Sequence, residues 1–352
     1  MRYSVWLFAA AWGSLVAAAW LLPQLWLVRL LVAAGSLLLT GVIAHLLAEL
    51  AAALCPRPLL PDLRGKAVLV TGCSSGIGLS LAKRLDALGV AVFAGLRNPR
   101  CPGAAELRQT CSSNLRVLQL DVTRPDHVQH AVEFVRDNIG HREFWAVVNN
   151  AGITNGALLE LTPAETFHEV WNTNALGGVR VTQAFMPLLR RSKGRVVFVN
   201  SALGVMPSPG VLPYTMSKFA LRGFGDALRR EVRRWGVSVH SVFPFFYKTS
   251  LTDYDTALKM LDNLWERSSQ EIKDAYDERF MAGIKKAMKI WLFDRPKSSL
   301  AEPVDDIIDA TVGATPNLYY VTGWMGKLHY ALETRLPRSV ADVIASYVTG
   351  FS

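Results

Sequence analysis

The sequence predicts an α/β fold built on a doubly wound parallel sheet, carried behind an apolar N-terminal segment. Three observations point there. Short apolar runs such as Ala67-Val68-Leu69-Val70 alternate with longer stretches of helical periodicity, and fully apolar strands in such an alternation belong to a parallel sheet covered on both faces. A glycine-rich turn, Thr71-Gly72-Cys73-Ser74-Ser75-Gly76-Ile77-Gly78, joins the first run to the first helical stretch. Up to Leu54 the only charged side chains are Arg2, Arg29 and Glu49, whereas charge is evenly mixed from about Asp62 onward.

Tyr3 to Leu22 is an apolar run long enough to cross a bilayer, and Leu30 to Leu47 is a second, after an interruption by Pro23, Gln24 and Arg29. Residues 1–54 are therefore expected to form a membrane anchor of one or two spans. So long a run behind a single Arg2 does not suit a cleaved signal peptide. Arg57, Arg64 and Lys66 beyond the second run put the body on the cytosolic side. Residues 55–64, with Pro56, Pro58 and Pro61, read as a stiff linker.

Residues 65–352 suffice for one domain with a substantial core. Strands are expected at Lys66–Thr71, Val90–Gly95, Leu115–Asp121, Trp145–Asn149, Gly194–Asn200 and Val237–Phe243. Helices are expected at Gly78–Leu88, Val128–Asn138, Pro163–Leu189 and Tyr214–Trp235. From about Thr249 the pattern turns helical and charged, and residues 245–300 are expected to form a lid.

Net charge is +9; the first 64 residues hold four arginines and two acids, leaving +7 for the body. A basic body behind an apolar leader suits an anionic membrane face. No uninterrupted basic run appears, so nucleic acid is not an expected partner. The four cysteines, Cys55, Cys73, Cys101 and Cys111, show neither metal spacing nor a paired framework. Reduced thiols on the cytosolic side follow, and no metal site is expected.

Tyr214 and Lys218 lie four residues apart on an expected helix, so phenol and ammonium project from one face. An ammonium beside a phenol favours the phenolate, which predicts a lowered tyrosine pKa and proton exchange near neutrality. Ser201 ends the fifth strand, where its hydroxyl can donate to an oxygen on which charge develops. The glycines at 72, 76 and 78 let backbone approach a dinucleotide pyrophosphate at a helix N-terminus. The second strand ends Ala94-Gly95-Leu96-Arg97, with no acid for a ribose 2′-hydroxyl. Arg97 instead offers a planar fork to a 2′-phosphate, which favours NADP(H), with NAD(H) the alternative. Asp121 can accept from an adenine amine, and Asn149-Asn150-Ala151-Gly152 forms another close-approach loop.

Taken in order, TGCSSGIG at 71–78, DV at 121–122, NNAG at 149–152, Asn174, Ser201 and YTMSK at 214–218 resemble the short-chain dehydrogenase/reductase family. The resemblance implies a Rossmann-like catalytic domain. It makes Tyr214 the general acid/base, Ser201 the holder of the substrate oxygen, and Lys218 a binder of the nicotinamide ribose. Asn174 would anchor a proton-relaying water. Cofactor contacts are implied for Gly72, Ser74, Ser75, Gly76, Ile77, Gly78, Arg97, Asp121, Val122, Asn149, Ala151, Gly152, Tyr214, Lys218 and Thr249.

Within the family, residues 102–125 and 145–152 look like type-2 17β- and 11β-hydroxysteroid dehydrogenases. Residues 264–276 and Tyr320–Lys327 look more like microsomal retinol dehydrogenases, and 3-hydroxybutyrate dehydrogenases are more distant. This branch implies a steroid or retinoid substrate, an endoplasmic reticulum membrane, and a homodimer through the two long helices. Phe243, Phe245, Phe246, Tyr247 and Leu251 would line an apolar pocket. One departure bears on Thr249: the family has Pro-Gly after the sixth strand, whereas Pro244-Phe245 stands here. A phenylalanine would be strained if that position needed positive φ.

Overall fold

The computed structural model describes residues 57–290 and 296–349, together with residues 10, 12–17, 29–37, 39–41 and 43–44. Leu59–Arg335 forms most of one compact unit. Seven parallel strands make its sheet: β1 (Lys66–Thr71), β2 (Ala91–Leu96), β3 (Leu115–Gln119), β4 (Glu143–Asn149), β5 (Arg195–Val199), β6 (Ser238–Phe243) and β7 (Tyr319–Val321). Their order is β3-β2-β1-β4-β5-β6-β7. The direction of winding reverses between β1 and β4, the switch point at which ligands bind in such sheets.

The helices are α1 (Gly76–Ala87), α2 (Pro102–Thr110), α3 (Pro125–Asn138), α4 (Ala164–Trp171), α5 (Gly177–Ser192), α6 (Leu212–Val232), α7 (Tyr254–Glu266), α8 (Gln270–Tyr276), α9 (Glu278–Lys289), α10 (Ala301–Val312), α11 (Trp324–Arg335) and α12 (Arg338–Thr349). On one face of the sheet Val132 of α3, Phe185 of α5 and Leu228 of α6 join a buried cluster with Leu69, Phe93 and Phe198. On the other, Leu85 of α1, Leu107 of α2 and Ile307 of α10 close over Val68, Val92 and Val197. Burial of β1, β2 and β5 on both faces explains why their sequences lack polar alternation.

The expected single helix Pro163–Leu189 is two helices joined by a π-helical stretch, Asn172–Leu176. β7, α2, α10, α11 and α12 are additions to the expected elements. Helices α7 and α9 pack through Leu261, Met281 and Ile284, and α8 through partly buried Ile272 and Tyr276, on Ala157, Leu158 and Leu161 of the loop after β4, a third cluster apart from the sheet.

A second unit comprises residues 1–58 and 336–344. Among the described residues no helix is long and apolar enough to cross a membrane. Most of Tyr3–Leu22, and part of Leu30–Leu47, lies outside the described residues. Within residues 29–37, Leu30, Leu31, Val32 and Leu37 are exposed on a helix.

Candidate active site

Because all strands are parallel, the loops after β1, β2, β3, β4, β5 and β6 share the carboxyl edge of the sheet. The glycine turn after β1 needs positive φ at Gly72 (72°) and Gly76 (59°). A Cβ on Gly78 would meet Gly72 O at 2.3 Å and Asn150 Nδ2 at 2.5 Å, and one on Gly72 would meet Ala151 Cα at 2.8 Å. The first and fourth loops are thus in backbone contact. Thr71 Oγ1 accepts from the backbone N–H groups of Asn150 and Ala151, each at 3.0 Å. Asn150 Nδ2 donates to Thr71 O at 2.9 Å and to Gly72 O at 3.1 Å. Thr71 and the Asn150 side chain, which the sequence reading passed over, therefore set the shape of the turn. Their signal was the second asparagine of the Asn149-Asn150 pair.

Ser75 stands at the N-cap of α1 without a side-chain capping bond. Its hydroxyl instead shares a hydrogen bond with Ser250 at 2.9 Å. First-turn N–H groups of a helix, lacking intrahelical partners, attract an anion. Thr249 lies beside them, its Cβ 3.4 Å from a Cβ placed on Gly76. Lys193 and Asp277 are the described non-glycine residues with positive φ, so Phe245 escapes the strain anticipated for it. Gly103, at the start of α2, abuts the exposed Ser74, whose carbonyl would lie 2.1 Å from its Cβ. Ile77 packs into the cluster beneath the turn.

Arg97 is exposed at the end of β2. Asp121 spends its carboxylate on the Thr123 N–H at 2.9 Å and hydroxyl at 2.6 Å. Desolvation would raise its pKa, but these bonds and the nearby Arg97 hold it below the usual carboxylate range. Val122 is buried, and a Cβ on Gly177 would come within 2.5 Å of its methyl. The Asn149 side chain is turned inward, donating to Thr182 Oγ1 at 3.0 Å. Any cofactor contact from Asn149 would accordingly be made by backbone.

Ser201 follows β5, and Tyr214 and Lys218 lie one turn apart on α6. The Ser201 hydroxyl accepts from Leu203 N at 3.2 Å, and it is near enough to the Tyr214 phenol to act on its pKa. Lys218 is 3% exposed. Its Nζ donates to Val199 O at 3.0 Å and lies 5.5 Å from the Tyr214 ring centroid. The anticipated lowering of the phenol pKa is absent. Although part of the residue remains exposed, burial pushes Tyr214 up to about 12, and the nearby Ser201 hydroxyl offsets this only partly. Lys218 directs its ammonium to a carbonyl rather than the phenolic oxygen, and burial lowers it to about 8.

Asn174 sits in the π-helical stretch, 2% exposed. Its Oδ1 accepts from Ile153 N at 2.8 Å, and its Nδ2 donates to Ile153 O at 2.9 Å and Ser217 Oγ at 3.0 Å. Ser217 in turn donates to Tyr214 O at 2.7 Å, tying this stretch to α6. A Cβ on Gly152 would lie 3.3 Å from Asn174 Oδ1 and 3.8 Å from Lys218 Nζ, so these three residues converge. Ser217, three residues after Tyr214, was the member of this group that spacing alone did not single out.

Phe245, Phe246, Met325 and Gly326 line an apolar cavity of about 310 Å³ beyond β6 and β7, with Tyr247, Lys297, Thr322 and Gly323. Of the residues expected there, Phe243 is instead buried in the sheet and Leu251 is exposed. Tyr247 donates to Glu302 Oε2 at 2.7 Å, and Lys297 Nζ lies 2.9 Å from both oxygens of that carboxylate.

The short chain dehydrogenase family model matches residues 66–258. Mouse estradiol 17-beta-dehydrogenase 2 is 38% identical over 79% of this chain and 74% of the relative. Human retinol dehydrogenase 16 is 36% identical over 83% of this chain and 92% of the relative. Rat mitochondrial D-beta-hydroxybutyrate dehydrogenase is 37% identical over 80% and 83%. In fold, the chain is similar to a Burkholderia cenocepacia short chain dehydrogenase solved in complex with NADP, with TM-score 0.59, 20% identity, and coverage of 79% and 96%. A Burkholderia phymatum enzyme solved in complex with NAD gives the same TM-score at 19% identity, covering 71% of this chain and 87% of that one. The chain belongs to the short-chain dehydrogenase family and is an NAD(P)-dependent oxidoreductase acting on CH–OH groups.

Proposed function

We propose that this enzyme interconverts a lipophilic alcohol and ketone, a hydroxysteroid in the first place, at the endoplasmic reticulum membrane, with NADP(H) preferred to NAD(H). The observation that carries the reading is the Ser201–Tyr214–Lys218 assembly on the carboxyl edge, one loop away from the glycine turn. The cofactor fits the residues present. Gly72, Ser74, Ser75, Gly76, Ile77 and Gly78 surround an uncapped helix N-terminus suited to a pyrophosphate. Asp121, Val122 and Arg97 end the strands where an adenosine would lie. Asn149, Ala151, Gly152, Lys218 and Thr249 border the remaining path. When bound, the nicotinamide supplies or accepts the hydride.

The chain's own residues handle the proton. In ketone reduction Tyr214 gives its phenolic proton to the substrate oxygen, and Ser201 donates a hydrogen bond to the same atom. Lys218, protonated at neutral pH, stabilises the phenolate left behind. Alcohol oxidation runs these transfers backwards. Asn174 fixes the π-helical stretch against α6, where a relaying water would be held.

The mouse estradiol enzyme supports the steroid reading, as does the apolar wall of Phe245, Phe246 and Met325. A retinoid is the second reading, favoured by the match across 92% of human retinol dehydrogenase 16. A short hydroxy acid would need a fixed cation, for which exposed Lys248 is the nearby residue in sequence. A homodimer would use α5 and α6.

Membrane attachment rests on residues 1–54. Exposed Leu30, Leu31, Val32 and Leu37 support it. A chain lacking residues 1–54 should leave membranes washed at high salt, yet keep every residue assigned to catalysis. Sedimentation followed by an activity assay checks this; truncated protein that resists the wash would place an anchor elsewhere.

Arg97→Leu should weaken NADP(H) binding by more than tenfold and leave NAD(H) nearly unchanged. A charge-assisted bidentate contact contributes about 1.5–3 kcal/mol, or roughly one to two decades in affinity. Cofactor titration by fluorescence reads both constants. Equal losses for the two cofactors would remove Arg97 from phosphate recognition.

A further inference from the structure

The fold joins two basic segments that are separate in the sequence. α5 ends in Arg190-Arg191-Ser192 followed by Lys193, and α6 runs out through Arg229-Arg230-Glu231-Val232 into a 3₁₀ turn of Arg233-Arg234-Trp235. Both helices lie on one face of the sheet and end at its amino edge, opposite the candidate active site. Ser238 N donates to Gly194 O at 3.1 Å, and a Cβ on Gly236 would touch the Lys193 side chain at 3.3 Å. The two segments hold seven cations and one acid, Glu231, in a chain whose whole net charge is +9.

Arg190, Arg191, Lys193, Arg230, Arg233 and Arg234 are exposed. Arg229 pairs with Asp226 at 3.4 Å, and among the described residues no carboxylate forms an ion pair with the other six. The Arg190 and Arg234 guanidinium carbons lie 5.2 and 5.3 Å from the Trp235 ring centroid. Cations at helix C-termini gain from the macrodipole within the last turn. That accounts for one or two per helix end and leaves the rest of this charge unexplained.

The same edge receives the chain from its N-terminal apolar runs. Leu60 N donates to Val312 O at 2.9 Å, at the end of α10, and residues 61–65 then lead into β1. Lys66 Nζ and Arg195 Cζ lie 4.5 and 5.2 Å from the Trp145 ring centroid, which connects the start of β1 to the start of β5. β4 alone separates those strands, so the starts of β1 and β5 are about 10 Å apart in the sheet direction.

We propose that this amino edge docks on anionic phospholipid headgroups of the bilayer that holds the N-terminal runs. Basic side chains near an anionic leaflet are attracted over a Debye length, and an amphipathic ring such as Trp235 suits headgroup depth. Entry of the tether at this edge favours a lipid surface over a nucleic acid as the polyanion. The proposal rests on the membrane reading of residues 1–54.

Full-chain protein in nanodiscs provides the test, read by amide hydrogen exchange over residues 190–194 and 229–236. Exchange should be several-fold slower in discs containing phosphatidylserine than in phosphatidylcholine alone, and the difference should vanish at high salt. The triple variant Arg191→Gln, Arg230→Gln, Arg233→Gln should lose the protection and keep its turnover. Equal exchange in the two lipids overturns the proposal, as does stronger protection by a DNA oligonucleotide than by phosphatidylserine. Full-chain protein that stays out of the discs counts against the N-terminal anchor. Salt-sensitive cosedimentation with phosphatidylserine vesicles, lost in the triple variant, then supports the patch independently, and its absence overturns it.

Discussion

Tyr214→Phe is expected to lower turnover by roughly 10²–10⁴-fold, the usual contribution of a positioned acid or base, while cofactor affinity stays within a few-fold. The ring and its place on α6 survive, and what disappears is the phenolic oxygen beside Ser201. Burial holds the native phenol up to about 12, so at neutral pH it is a proton donor. Ketone reduction can use it directly. Alcohol oxidation requires the phenolate, a population that grows tenfold per pH unit below that pKa. The native oxidation rate should therefore climb with pH through the neutral range, and the residual rate of the variant should lack that slope. Steady-state kinetics in both directions from pH 6 upward checks this, and near-normal turnover in Tyr214→Phe would remove the phenol from the reaction.

Lys218→Met should cost most of the activity and weaken cofactor binding, yet leave the fold more stable at pH 7. Burial lowers the ammonium from 10.5 to about 8. The unfolded chain then binds more protons than the folded one between those values, so stability rises with pH across that window and the buried charge carries its full penalty below pH 8. At about 1.4 kcal/mol for each tenfold in a proton equilibrium, that penalty is about 3 kcal/mol. Methionine matches the length of the stem but leaves Val199 O without its partner, a loss of about 1–3 kcal/mol. A net gain of about 1 kcal/mol follows, shrinking as pH approaches 10.5. Denaturant titrations at pH 7 and pH 10 read the sign. Strong destabilisation at pH 7 would instead make Lys218 a structural support for α6.

The first six strands were legible because each is a short run bounded by turn residues, and β1, β2 and β5 are apolar because both their faces are buried. β7 was not, since three residues, Tyr319–Val321, carry too little periodicity to register. The nine residues of α2 were likewise too few for a clear amphipathic pattern. In the candidate site, spacing put Tyr214 beside Lys218 because a helix imposes it. Spacing could not say that Lys218 would direct its ammonium to Val199 O, nor that burial would raise rather than lower the phenol pKa. Those outcomes depend on β5, which is adjacent in space and not in sequence. The π-helical turn at Asn174 and the locking of the glycine turn by Asn150 are tertiary in the same sense. So is the basic patch at Trp235, assembled from two helix ends that look unremarkable singly.

Turnover of the full-chain enzyme with NADP(H) and NAD(H), against estradiol and estrone, retinol and retinal, and 3-hydroxybutyrate, decides the substrate class. Reduction or oxidation of the lipophilic pairs is expected, steroid ahead of retinoid, with 3-hydroxybutyrate far behind. Cofactor binding without turnover of any lipophilic substrate, or 3-hydroxybutyrate as the fastest of the three, would contradict that expectation.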